Sequence, residues 1–380
     1  MAEWRRLLLL VVGLMVLGYL SSLWILPTDV TEYARYAAAA LVHPGQAWPR
    51  EYPPVALFVF LLPVILPIPY TYAFPIIAGA LLAVLLLWGR RRLGDGWARR
   101  LAGYVALGGV ALVTDRYDIA PAACLLLAAV AMGDEAWTRA WAWSLLGAAL
   151  KLFPLAAWPI LVLAEWRATG RVVWWRPAAS VVLGGGLLLL PRAFGIRQIT
   201  WMHFLDGRPP NIGSLTGEIT ALFHPFYAMY ASFGSLNVIA PGMDVLAVGI
   251  TALGIVAFLG VLWATWRGHL DPLPALIIGL TIMILASKVF SVQYLLWVMP
   301  LWAIYGYNRG WLMTALFNTV SYPVMFNLSA GDPLGLGRWL LMALALRNAA
   351  LLLSTGRFLM AEWHAGAIAP RIQALREPSA

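Results

Sequence analysis

The first group with chemical promise is an aspartate set just beyond an apolar run. Leu7 to Leu26 is followed by Pro27-Thr28-Asp29-Val30-Thr31-Glu32-Tyr33-Ala34-Arg35-Tyr36, and then by His43, Trp48, Arg50, Glu51, Tyr52, Pro53 and Pro54. Read as a helix from Asp29 to Leu41, this stretch brings Asp29, Glu32, Tyr33 and Tyr36 to one face at i, i+3, i+4 and i+7. A carboxylate at a water–membrane boundary can act as a general base. An aspartate after Pro-Thr is also an ordinary helix N-cap, so spacing alone leaves both readings open.

A second polar cluster, Thr114-Asp115-Arg116-Tyr117-Asp118, interrupts apolar sequence, and its plainer reading is a turn that keeps two helices apart. Lysine is used only twice, at Lys151 in Leu150-Lys151-Leu152-Phe153-Pro154 and at Lys288 in Ser287-Lys288-Val289-Phe290. A compact ammonium suits a phosphate oxygen, and it also suits snorkelling to lipid headgroups. The long stretch Trp201 to Leu215 interleaves aromatics with His203, Asp206, Arg208, Asn211 and Ser214, which fits sugar faces and hydroxyls as well as an interfacial aromatic belt. The five histidines are scattered with no paired spacing, so no metal site is expected. P-loop and GxGxxG motifs are absent, and Gly184-Gly185-Gly186 reads as close helix packing.

The elements that would position these groups are membrane spans. The 380 residues are 62% hydrophobic and 11% charged with a mean hydropathy of +0.79, against the roughly 25% charge of a soluble domain. The net charge of +9 comes from arginines that punctuate apolar runs, which fits membrane orientation and not a nucleic-acid partner. The lone Cys124 rules out an internal disulfide. Arg5 and Arg6 before the first run place the N-terminus in the cytoplasm and Asp29 outside by the positive-inside rule. The segment from Pro53 to Leu66 is shorter than the roughly 20 residues of a straight span and is read as re-entrant or interfacial. Spans are then expected near 70–88, 101–113, 119–132, 138–150, 155–165, 178–190, 243–266, 272–287, 290–306, 310–327 and 338–356. A single helix bent at Pro154 is the alternative to a 138–150/155–165 hairpin; Arg139 and Arg167 flanking the pair favour the hairpin.

The expectation is therefore an all-α polytopic membrane protein of about twelve spans with outer juxtamembrane helices. It comprises one transmembrane domain over 1–365, outer loops at 27–69 and 191–241, and a cytoplasmic tail at 366–380, with both termini inside a cell membrane and the site outside.

Asp29 after the first span, Glu51-Tyr52-Pro53-Pro54, Lys151-Leu152-Phe153-Pro154 and Ser291-Val292-Gln293-Tyr294-Leu295-Leu296-Trp297 together resemble the family 87 glycosyltransferases of the GT-C type, over about residues 5–305. The resemblance implies a GT-C-like helical bundle. It also implies a hexosyl, most simply mannosyl, donor on a polyprenyl phosphate, a glycolipid, glycan or protein acceptor outside the membrane, and inversion at the anomeric carbon. Asp29 would take the acceptor's proton. Lys151, Lys288, Arg116 and Arg208 would meet the donor phosphate, while Glu32, Tyr52, Asp115, Asp118, His203, Gln293 and Tyr294 would line the substrates. The lipid-linked sugar enters as a substrate; no cofactor is called for, and divalent-metal dependence is left open. The family's Glu-Ser pair in the long loop has no match in Arg208-Pro209-Pro210-Asn211-Ile212-Gly213-Ser214, which lacks the Glu. The competing expectation is a transporter or flippase for a lipid-linked or polar solute, which needs ionisable groups near the bilayer midplane.

Overall fold

The computed structural model describes residues 2–22, 29–45, 47–196, 207–329 and 337–365. Their chain divides into two compact units. One is built from the described residues up to 102 and from 110–196, the other from Gly103–Gly109 and the described residues from 207 on.

Apolar composition dictates helices, because a backbone in lipid must satisfy its own hydrogen bonds. In the first unit α1 (Ala2–Ser22), α2 (Asp29–Val42), α3 (Ala56–Leu61) and α4 (Tyr70–Leu93) are followed by α5 (Asp95–Gly108), which belongs to this unit up to residue 102, and by α6 (Val110–Asp115). Then come α7 (Ile119–Gly133), α8 (Trp137–Leu150), α9 (Ala157–Thr169), α10 (Trp175–Leu188) and the short α11 (Leu190–Ala193). Helix α6 packs on α1 and α4, and α8 packs on α7 and α10. The segment from Pro53 to Leu66 holds α3 and a 3-10 turn, Leu62–Ile65, and stays short.

Lys151 is extended, at φ −158° and ψ 133°, and ends α8; a 3-10 turn at Phe153–Ala156 then leads into α9. Trp141 Nε1 of α8 donates to Glu165 Oε2 of α9 at 3.4 Å. A continuous helix would separate those residues by about 36 Å, so α8 and α9 form a hairpin.

The second unit contains α12 (Leu215–Phe223), α13 (Met243–Trp266), α14 (Pro272–Ala286), α15 (Leu295–Tyr305), α16 (Arg309–Ser329) and α17 (Gly337–Ala365). Helix α16 packs along α17, and α13 along α14. The all-α expectation needs one correction here. Strands β1 (Ala228–Ser232) and β2 (Ser235–Ile239) pair antiparallel within the long loop. Phe233 and Gly234 between them both have positive φ, 52° and 63°, the signature of a two-residue type I′ turn whose twist matches the strands it joins. Hydropathy alone does not register so short a hairpin.

Among the described residues three helices, Tyr70–Leu93, Met243–Trp266 and Gly337–Trp363, are long and apolar enough to cross a membrane, and shorter apolar helices accompany them.

Candidate active site

Three consecutive residues between α6 and α7 reach three different partners. Thr114, Asp115, Arg116, Tyr117 and Asp118 are all buried, so the stretch is no solvated turn. Arg116 Nη1 forms an ion pair with Asp29 Oδ2. The hydroxyl of Tyr117 donates to the Leu150 carbonyl at 3.1 Å. Asp118 Oδ1 accepts from Lys151 Nζ at 2.7 Å, with Asp118 fully enclosed. Two oppositely charged pairs, Asp29–Arg116 and Lys151–Asp118, are thus tied together by a five-residue segment that two helix ends hold in place.

Asp29 opens α2, and its carboxylate is held by side chains. Tyr33, one turn on, donates its hydroxyl to Oδ2 at 3.4 Å, and Tyr52 donates to the same oxygen at 3.2 Å. Among the described residues, the Tyr33, Tyr52 and Arg116 contacts all fall on Oδ2. Asp29 keeps 24% of its side chain exposed.

Beneath it lies an aromatic cluster of Tyr33, Tyr36, Tyr52, Phe60, Phe74 and Tyr117. Tyr33 stacks on Phe60 with centroids 4.3 Å apart, and Tyr117 meets Tyr33, Tyr52 and Phe60 edge-on. Each such pair adds about 1 kcal/mol beyond area burial and fixes ring orientation. Burial raises the Tyr33 and Tyr52 phenols well above their ordinary range, so both stay protonated donors. Lys151 Nζ sits 5.0 Å from the Tyr117 ring centroid and 5.8 Å from that of Tyr52. Burial pushes its ammonium below the ordinary lysine value, with Asp118 opposing that shift.

Asp29, Tyr52, Arg116, Asp118 and Lys151 therefore converge, with Asp115 buried next to Arg116 in the chain. Glu32 leaves the face expected of it and pairs with Arg35 near solvent. On a helix of about 100° per residue Tyr33 and Tyr36 stand about +40° and −20° from Asp29, whereas Glu32 stands about 60° away, the widest offset of the three, and that flank meets solvent.

The remaining expected residues that are described belong to the second unit. Arg208 Nη2 donates to Ser235 Oγ at 2.8 Å and lies over the Phe233 ring, so it belongs to the β-hairpin. Lys288 is half-buried beyond the end of α14, and its backbone carbonyl accepts from Asn211 N at 2.9 Å. Gln293 accepts from Ser291 Oγ, and Tyr294 stacks on Trp297 at 3.9 Å. His203 lies outside the described residues. Among the described residues no group of three or more His, Cys, Asp and Glu gathers that could hold a metal ion.

Sequence reading passed over a buried network in the second unit. Arg347, Asn348, Asn318 and Glu218 are enclosed and hydrogen-bonded together. Burial raises the Glu218 carboxyl, with Asn348 and Arg347 opposing that shift. The available signal was an arginine in the middle of an apolar span, which by itself marks a site worth examining.

The sequence matches no described protein family and no curated protein. Among solved structures the chain is similar to the crystal structure of ArnT from Cupriavidus metallidurans in the apo state, at 16% identity, over 93% of this chain and 77% of that one. The TM-score is 0.34, which does not establish a shared fold.

Proposed function

We propose that this chain is an integral-membrane glycosyltransferase that moves a hexose, most simply mannose, from a polyprenyl-phosphate donor to an acceptor outside the membrane. The observation carrying the reading is the convergence of Asp29, Arg116, Asp118 and Lys151 on one aromatic floor. Inverting displacement from a phosphate requires one carboxylate as base beside cations; Asp29 takes that role here, while the fully enclosed Asp118 holds Lys151. The acceptor oxygen attacks the anomeric carbon and gives its proton to Asp29, while the bond to the lipid phosphate breaks and its electron pair leaves with the phosphate. A phosphate leaving group needs no general acid, unlike the alcohol expelled in glycoside hydrolysis.

In this reading Asp29 Oδ1 is the base, since Tyr33, Tyr52 and Arg116 hold Oδ2 and aim the carboxylate. Arg116 and Lys151 meet the charge that develops on the phosphate, acting as preorganised electrostatic stabilisation. Each gives up part of its carboxylate contact when the phosphate arrives. Lys288 and Arg208 are proposed as phosphate contacts on the strength of their charge alone.

The test is Asp29→Asn in purified protein supplied with polyprenyl-phosphomannose and membrane extract. Transfer should fall at least ~100-fold, as expected for loss of a general base, with thermal unfolding unchanged. Turnover near the wild-type rate would remove Asp29 from the mechanism.

Arg347, midway along a helix apolar enough to span a membrane, favours a second reading as transporter or flippase. Its guanidinium is, however, fully engaged by carbonyl and amide oxygens, which suits a fixed element better than a path. Solute flux into liposomes without glycosyl transfer would reverse the ranking.

A further inference from the structure

Arg347 stands in Leu344-Ala345-Leu346-Arg347-Asn348-Ala349-Ala350-Leu351, where a full charge is costly and persists only with partners. It is completely enclosed. Nη2 donates to the Gly213 carbonyl, Nη1 to Asn318 Oδ1 at 3.3 Å, and Nε to Asn348 Oδ1 at 3.1 Å. The face of the guanidinium lies 3.9 Å from the Phe290 ring centroid.

The partners extend the grip. Asn318 Nδ2 donates to the Val292 carbonyl at 3.0 Å, and Asn348 Nδ2 donates to the Gly213 carbonyl at 3.1 Å and to Glu218. Gly213 belongs to a tight turn in which Asn211 Oδ1 accepts from Gly213 N and Ser214 Oγ accepts from Gly217 N to cap α12. A Cβ at Gly213 would stand 2.7 Å from the Phe290 carbonyl oxygen, so only glycine lets the turn approach this closely.

All these contacts bracket one short segment. The Lys288 carbonyl is held by Asn211 N, the Phe290 ring by Arg347, and the Val292 carbonyl by Asn318. Lys288 follows an extended Ser287 at the end of α14, so no helix directs it. A purely structural filler at this place would be better served by apolar side chains, which commonly match or exceed a buried charged network in stability.

We infer that Arg347 is a positioning residue for Lys288: through the 211–214 turn and Phe290 it fixes the backbone from which Lys288 presents its ammonium to a lipid phosphate. This rests on the proposed reading of Lys288 as a donor-phosphate contact.

The experiment uses the full chain in lipid nanodiscs, with polyprenyl monophosphate as the probe. Binding is measured for K288A, R347Q and the double variant, with N348A as a milder break of the same network should R347Q fail to fold. K288A and R347Q should each weaken binding roughly tenfold, about one decade of affinity. The double variant should be no weaker than K288A, because contact-dependent residues are not additive. Hydrogen exchange should speed up in R347Q or N348A at the Asn211 amide and stay unchanged over α2. Losses that add in the double variant would overturn the positioning role and leave Lys288 as a phosphate contact. Binding by K288A at the wild-type level would overturn the Lys288 reading and the inference together. Wild-type binding by R347Q or N348A alongside faster exchange would overturn the inference alone.

Discussion

Asp29 and Lys151 are each paired, and each pair combines a charge that the proposed reaction would use with a partner that keeps it in place. Replacing Arg116 by lysine keeps the charge and loses the planar fork, so R116K should cut transfer about tenfold while raising the donor KM; donor titration of the purified variant checks this. The depressed Lys151 ammonium sets a pH limit with a definite sign. In the proposed mechanism its charged form binds phosphate, so donor affinity should decline as pH rises through a value below lysine's ordinary one. K151R should move that limb to higher pH, as titration of donor binding from pH 6 to 10 would show. Unfolded chain holds the Lys151 proton up to its ordinary value and folded chain releases it earlier, so this group's contribution to stability increases with pH across that interval. Asp29, Arg116, Asp118 and Lys151 were legible in the sequence because polar groups at the edges of apolar runs stand out. Which of them pair was not, since that depends on the start of α2, the α6–α7 junction and the end of α8 meeting in space. Glu32 was not legible because i+3 and i+4 flank a helix face differently, and Arg347 was not because one charge inside an apolar run leaves its mean hydropathy high.

At the level of elements, the α8–α9 hairpin depends on Glu165. This fully buried carboxylate accepts from Val173 N at 3.2 Å and from Trp141 Nε1, and pairs with Arg176, so it joins α8, α9 and the start of α10. Glu165→Ala leaves the half-buried Arg176 guanidinium and the buried Trp141 indole without their acceptor, and should destabilise the protein by about 2 kcal/mol. The check is thermal unfolding in detergent followed by tryptophan fluorescence, with E165Q expected to lose less. Helix positions were legible from hydropathy, and the hairpin across Pro154 from flanking arginines. The β-hairpin was not, because its turn uses Phe233 where Asn or Asp usually precedes the glycine.

For the whole molecule, charge asymmetry predicts that 27–69 and 191–241 face outward and both termini inward. Cys124 is buried and is the single cysteine, so C124A supplies a cysteine-free background. A cysteine at the exposed Ala38 should then react with an impermeant maleimide added to intact cells, and one at the exposed Arg91 only after lysis. The reverse pattern would invert the topology. Helix α13 bears on the molecule's history. Only 6% of its apolar window is covered by protein, so its side chains answer to lipid and to little else. Leu, Ile, Val and Phe can replace one another there by drift at almost no cost, whereas each residue from Thr114 to Asp118 is fixed by the neighbours that bury it. Variation among descendants of this chain should therefore collect along Met243–Trp266 and be purged from the five residues that join the two charged pairs.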